Sequence, residues 1–162
     1  MQLGESLLAI AAVVMFTMGA LQLNTMRLDG RTRLWEAEFH TTAVGLAQSY
    51  IEQARLLSFD EVLTDSTARA ARPAGLTPTR SLGPDHAEDG IDAFDDLDDF
   101  HLYQDTVLTP RAVYHVSIRA TYVDSLTLMP DSNLSLLKWL TVNVSSRYYP
   151  DTLRINYLYA LR

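Results

Sequence analysis

Two sets of carboxylates in this 162-residue chain are spaced to do chemistry. One is a single residue, Glu5, at the edge of an apolar run in which nothing from Ser6 to Met26 ionises. A charge held in hydrocarbon costs about 2.5–3.5 kcal/mol on insertion scales unless something pairs with it, so Glu5 calls for a cation, and an α-amino group such as that of Met1 would serve. The other set lies in residues 84–100, PDHAEDGIDAFDDLDDF, which carry Asp85, Glu88, Asp89, Asp92, Asp95, Asp96, Asp98 and Asp99. Clustered hard oxygens suit calcium, with Asp92, Asp95, Asp96, Asp98 and Asp99 as the candidate ligands. The EF-hand spacing is missing, because no glycine holds the sixth position after alternating acids. The competing reading is a solvated acidic loop anchored by Phe94, Leu97 and Phe100.

The other chemistry-bearing residues form no pattern. His40, His86, His101 and His115 are scattered without an HxxxH or CxxC partner, which argues against a zinc-type site. There is no GxSxG, no Walker loop and no glycine-rich nucleotide turn. The chain is therefore read as a non-enzyme, with no cofactor expected apart from calcium. Asn133 with Ser135 and Asn143 with Ser145 match the glycosylation triplet. Tyr148, Tyr149, Tyr157 and Tyr159 form either an adhesive patch or cross-strand aromatic pairs.

The elements that would carry these residues are legible from periodicity. At about 1.5 Å per residue the run Ser6 to Met26 is roughly 30 Å long, enough to span a bilayer as one helix. Beyond it Arg27, Asp29, Arg31, Arg33, Glu36 and Glu38 make the chain polar, yet no proline occurs before Pro73, so the helix continues. Trp35, Phe39, Ala43, Leu46, Tyr50, Ala54 and Leu57 then recur at spacings of four and three, an amphipathic stripe that needs covering. The spacing predicts a long helix over 1–57, its first half (1–26) protruding and apolar and its second half (27–57) amphipathic.

Residues 58–111 lose periodicity and read as a variable surface segment. From 112 the period becomes two. Tyr114, Val116, Ile118, Ala120 and Tyr122 share one face, then Leu140, Val142, Val144 and Tyr148, then, after a turn at Pro150 and Asp151, Leu153, Ile155, Tyr157, Tyr159 and Leu161. A short strand over 100–106 supplies a fourth. The expected class is α+β, a long helix packed on a four-stranded antiparallel sheet within a globular head of residues 58–162.

Composition narrows the partners. The net charge of −7 excludes an electrostatic grip on nucleic acid as the expected mode. Cysteine is absent, so no disulfide constrains the head. The acid near the start, where a secretory signal would carry basic residues, and the direct run into helix-forming sequence argue that the segment is retained.

The stretch MQLGESLLAIAAVVMFTMGAL resembles the mature N-terminus of type IV pilin-like subunits after a prepilin peptidase has removed a basic leader. Glu5 stands at the family's glutamate, Met1 where Phe is usual, and Gly4 where Ile or Leu is commoner. No proline stands near Gln22, which leaves Gly19 as the point where the helix would loosen. Residues 47–62, AQSYIEQARLLSFDEV, also resemble the close of the family's long helix.

The resemblance implies a structural subunit, held in the inner membrane before assembly, that polymerises into an extracellular filament on the cell surface. Glu5 would pair with a neighbour's Met1 amine, which would itself be N-methylated. Leu7, Leu8, Ile10, Val13, Val14, Phe16, Leu21 and Leu23 would form the filament core. The implied partners are copies of the chain, the prepilin peptidase, an assembly ATPase and a platform membrane protein, with no nucleic acid. Three alternatives stay open: a pseudopilin of a type II secretion system, a minor pilin for adhesion or DNA uptake, and a single-pass anchored binding domain with Met1 as initiator.

Overall fold

The computed structural model describes residues 2–64, 75–86, 88 and 90–161. Met1, expected to take part in assembly, lies outside the described residues, as does Asp89 of the acidic run. The chain divides into two compact units, Met1–Glu38 and Phe39–Arg162.

Helix α1 (Gln2–Ala54) makes up the described part of the first unit and enters the second. It is long and apolar enough to cross a membrane by length and composition, and none of its apolar window is buried. Hydroxyls in and beside that run are satisfied within the helix. Thr17 Oγ1 donates to Val13 O at 2.7 Å and Thr25 Oγ1 to Gln22 O at 2.8 Å, so neither leaves a bare donor for an apolar environment to penalise.

The second unit is an α+β head. Residues 39–54 of α1 lead to a short helix α2 (Glu61–Thr64), a 3-10 turn (Thr79–Ser81), and then β1 (Gln104–Leu108), β2 (Val113–Tyr122), β3 (Leu137–Ser146) and β4 (Tyr149–Ala160). These four strands, counted among the described residues, form an antiparallel meander in the order β1-β2-β3-β4. Register places Ile118 opposite Val142 and Val142 opposite Ile155, so one row of branched side chains runs across three strands. That face carries Tyr114, Val116, Ile118, Ala120, Leu140, Val142 and Val144, all buried against Ala43, Ala47, Tyr50, Ile51 and Ala54 of α1. Alanine at 43, 47 and 54 keeps the helix side of this interface shallow. Tyrosines supply its polar ties: Tyr159 Oη donates to Ile51 O at 2.9 Å and Tyr50 Oη to Asp105.

Several expectations change here. Trp35 does not begin the covered stripe; it is 63% exposed, the buried row starts with Ala43 beside half-buried Phe39, and Ala47 and Ile51 join it while Leu46 is only half-buried. The helix ends at Ala54, leaving half-buried Leu57 beyond it. The first strand begins at Gln104 rather than Phe100 because Phe100, Leu102 and Tyr103 belong to a turn, with Leu102 at φ 63°. The β3–β4 turn falls at Arg147 and Tyr148, not at Pro150, which lies inside β4. Ser146 takes the inward position and Tyr148 stacks on Phe39 at 5.9 Å between ring centroids. The acidic loop is not simply solvated, since Asp96, Asp98 and Asp99 are buried.

Candidate functional site

The residues expected to build a filament core are all outward. Leu7, Leu8, Ile10, Val13, Phe16, Leu21 and Leu23 are between 61% and 80% exposed, and Val14 is 49% exposed. Glu5 sits in the first turns of α1 and is also exposed. The apolar run of this helix is thus uncovered in the single chain, on a helix long and apolar enough to cross a membrane.

Within the head, the acids are sorted by two short segments that meet. Ser58 and Asp96 form a parallel bridge, with Ser58 N donating to Asp95 O at 3.1 Å and Leu97 N to Ser58 O at 3.0 Å. This brings Asp60 and the 96–99 turn to the start of β3. The turn is held by its own acids: Asp96 Oδ1 accepts from the Asp99 amide at 3.2 Å and from the Asp98 amide, while Asp99 Oδ2 accepts from the Asp95 and Asp96 amides at 3.0 and 3.1 Å.

Lys138 closes the arrangement. Its Nζ donates to Asp60 Oδ2 at 2.7 Å, to Phe59 O at 2.8 Å and to Asp98 Oδ1 at 2.5 Å. The side chains of Lys138 and Asp60 are wholly buried and that of Asp98 is 3% exposed. The ammonium also lies over the rings of Phe59 and Tyr122, at 4.5 and 4.8 Å from their centroids. Asp60 is braced further, accepting from Thr77 N at 3.0 Å and Thr77 Oγ1 at 2.9 Å through Oδ1, and from Tyr122 Oη at 2.9 Å through Oδ2.

The electrostatics follow from burial and donors. Burial alone would raise Asp60, but Lys138, Tyr122 and Thr77 hold its carboxyl below the usual range. Asp98 is pushed up to about 6 by burial, with Lys138 opposing. Burial, then Asp98 and Asp99, push Asp96 up to about 8, and burial pushes Asp99 up to about 7. Burial also raises Tyr122, reinforced by Asp60, so its hydroxyl keeps its proton.

The five acids named as calcium ligands are not gathered in one place. Asp98 turns to Lys138, Asp92 is exposed, and among the described residues the acids that converge are Glu88, Asp95 and Asp99, each with an oxygen within 4.8 Å of the others. His101 Nδ1 lies 2.6 Å from Ala120 O and His115 Nδ1 lies 3.3 Å from Thr106 Oγ1. Sequence reasoning passed over Lys138, Asp60, Thr77 and Tyr122. A signal existed for the first: Lys138 has the same strand parity as Leu140, Val142 and Val144, so it had to face inward with them.

No protein-family model matches the chain, and comparison with curated proteins and with solved structures finds no match.

Proposed function

We propose that the chain is a type IV pilin-like subunit whose function is polymerisation. The observation that carries this reading is the long helix with its exposed apolar run and a single carboxylate, Glu5, at the start of that run. Before assembly the run lies in the inner membrane. On assembly, side chains such as Leu7, Ile10, Val14 and Leu21 exchange lipid for the same residues of other copies. Apolar contact between helices is nearly indifferent to axial position, so it cannot set a register by itself. Glu5 does that: paired with the Met1 amine of a neighbour, it is satisfied at one axial step and left bare at others. Prepilin peptidase, an assembly ATPase and a platform protein belong to this reading as partners, with the cell surface as the destination.

The test is electron microscopy of filaments sheared from wild-type and Glu5→Ala cells, with the sheared protein identified by mass spectrometry. Wild-type filaments are expected to contain this chain, and the variant is expected to leave it in the membrane fraction with no filaments. Wild-type cells that keep the chain in the membrane and shed no filament containing it would shift the reading to a pseudopilin or to an anchored domain.

A further inference from the structure

The Lys138 site brings an amine and a carboxyl together under conditions that suit condensation. Nζ is 2.5 Å from Asp98 Oδ1, which leaves the Asp98 carboxyl carbon one C–O bond further on. A second carboxylate, Asp60 Oδ2, touches the same nitrogen at 2.7 Å. Asp60 is fixed by Thr77 and Tyr122, so its carboxylate is held in one place beside the nitrogen to relay a proton. The amine lies over two aromatic rings and all three side chains are withdrawn from water. Asp98 Oδ2, the oxygen not engaged by Lys138, has no hydrogen-bond partner within bonding distance among the described residues.

We propose that Lys138 and Asp98 form an intramolecular amide between Nζ and Cγ, with Asp60 as the proton carrier. Asp60 takes a proton from the ammonium, and the freed lone pair attacks Cγ. Asp60 then returns the proton to an Asp98 oxygen. That oxygen takes a second proton from the same nitrogen and leaves as water. The N–C bond forms, the C–O bond breaks, the ammonium and carboxylate charges cancel, and nothing is oxidised or reduced. The remaining amide N–H still faces Asp60. Closing Nζ from hydrogen-bond contact onto Cγ is a movement on the order of 2 Å, given an amide C–N bond of about 1.33 Å, which the four-carbon lysine stem can make.

The surroundings favour the product. A buried ion pair bears the desolvation of both charges, whereas an amide bears neither. A site closed to water also slows the reverse hydrolysis. The bond would tie the 96–99 turn to the start of β3 in a chain that has no cysteine to do so. It is independent of polymerisation and stands or falls separately from it.

Because Lys138 is the only lysine, the test has one readout position. The full chain, purified in detergent and then denatured, is expected to weigh one water less than its unlinked form. An amine-directed reagent is expected to leave Lys138 unlabelled. Tryptic digestion should yield residues 81–111 joined to residues 120–147, with the branch located by tandem mass spectrometry. In Asp98→Asn the chain should lose ammonia instead of water, and in Asp60→Ala it should keep its full mass. A wild-type chain of full mass with Lys138 labelled would show an ordinary ion pair and overturn the proposal, and that measurement requires no variant to fold. Loss of ammonia from Asp60→Asn would overturn the assignment by making Asp60 the acyl partner.

Discussion

Asp96 has one oxygen on the Asp98 and Asp99 amides and the other without a hydrogen-bond partner among the described residues, in a buried side chain. Burial, with Asp98 and Asp99 nearby, raises its pKa to about 8 against an unfolded carboxyl near 3.8. A raised folded pKa means the native state binds the proton more tightly than the unfolded chain. The stabilisation is fully present below the unfolded value and is lost as pH rises through the folded one. Asp99, pushed up to about 7, acts in the same direction, while Asp60, held low, acts oppositely and only in acid. The head should therefore lose about 4 kcal/mol between pH 5 and pH 9 from Asp96 alone, at about 1.36 kcal/mol per pH unit, read as a Tm lower by more than about 10 °C. In Asp96→Asn most of that slope should vanish, and a variant with the wild-type slope would place the titration elsewhere. These acids were visible in the sequence as a run, but their burial was not. Asp60, Asp98 and Lys138 lie at distant positions in the sequence, and the Ser58–Asp96 bridge brings the segments of the first two together.

Helix and strands were legible because their periods differ and each buries one face. The inward row of β2 was readable residue by residue; in β3 Leu140, Val142 and Val144 were, but Lys138 and Ser146 were not, and on the helix Ala43, Tyr50 and Ala54 were, but Ala47 and Ile51 were not. The element ends were less so. Pro150 resembles a turn residue, yet it is accommodated at the start of β4, an edge strand of the sheet, where a missing N–H is tolerated. Trp35 fits the stripe by spacing but is left exposed. Gly45 offers a clean test of the helix as an element. It is exposed, it lies within α1, and a Cβ added there would meet nothing within 4 Å. Glycine is less favourable than alanine in a helix interior by about 0.5–1 kcal/mol. Gly45→Ala should accordingly raise the Tm of the chain by about 2–4 °C, measured by circular dichroism in detergent. A fall would mean that this face of the helix is occupied by something the single chain does not contain.

At the scale of the whole molecule, the two units treat their apolar residues differently. The head buries its apolar residues in a core of its own, built from residues 39–54, the 94–100 segment and the sheet. The large apolar residues of the first unit from Leu7 to Trp35 that the structure describes are left uncovered. If each unit is stabilised by its own surroundings, the head should not depend on residues 1–26 for its structure. A chain starting at Arg27 should be soluble without detergent and monomeric by sedimentation. Its Tm should lie close to that of the full chain in micelles, whereas the full chain without detergent should aggregate. The reason is one of area: contiguous exposed apolar patches beyond a few hundred Å² are rare on soluble monomers, and the helix from Leu7 to Met26 presents side chain after side chain of that kind. If the shortened chain unfolded, the first unit would be supplying stability to the head. If it oligomerised as the full chain does, the contacts between copies would lie in the head, and the assembly role given to Glu5 and the apolar run would have to move there.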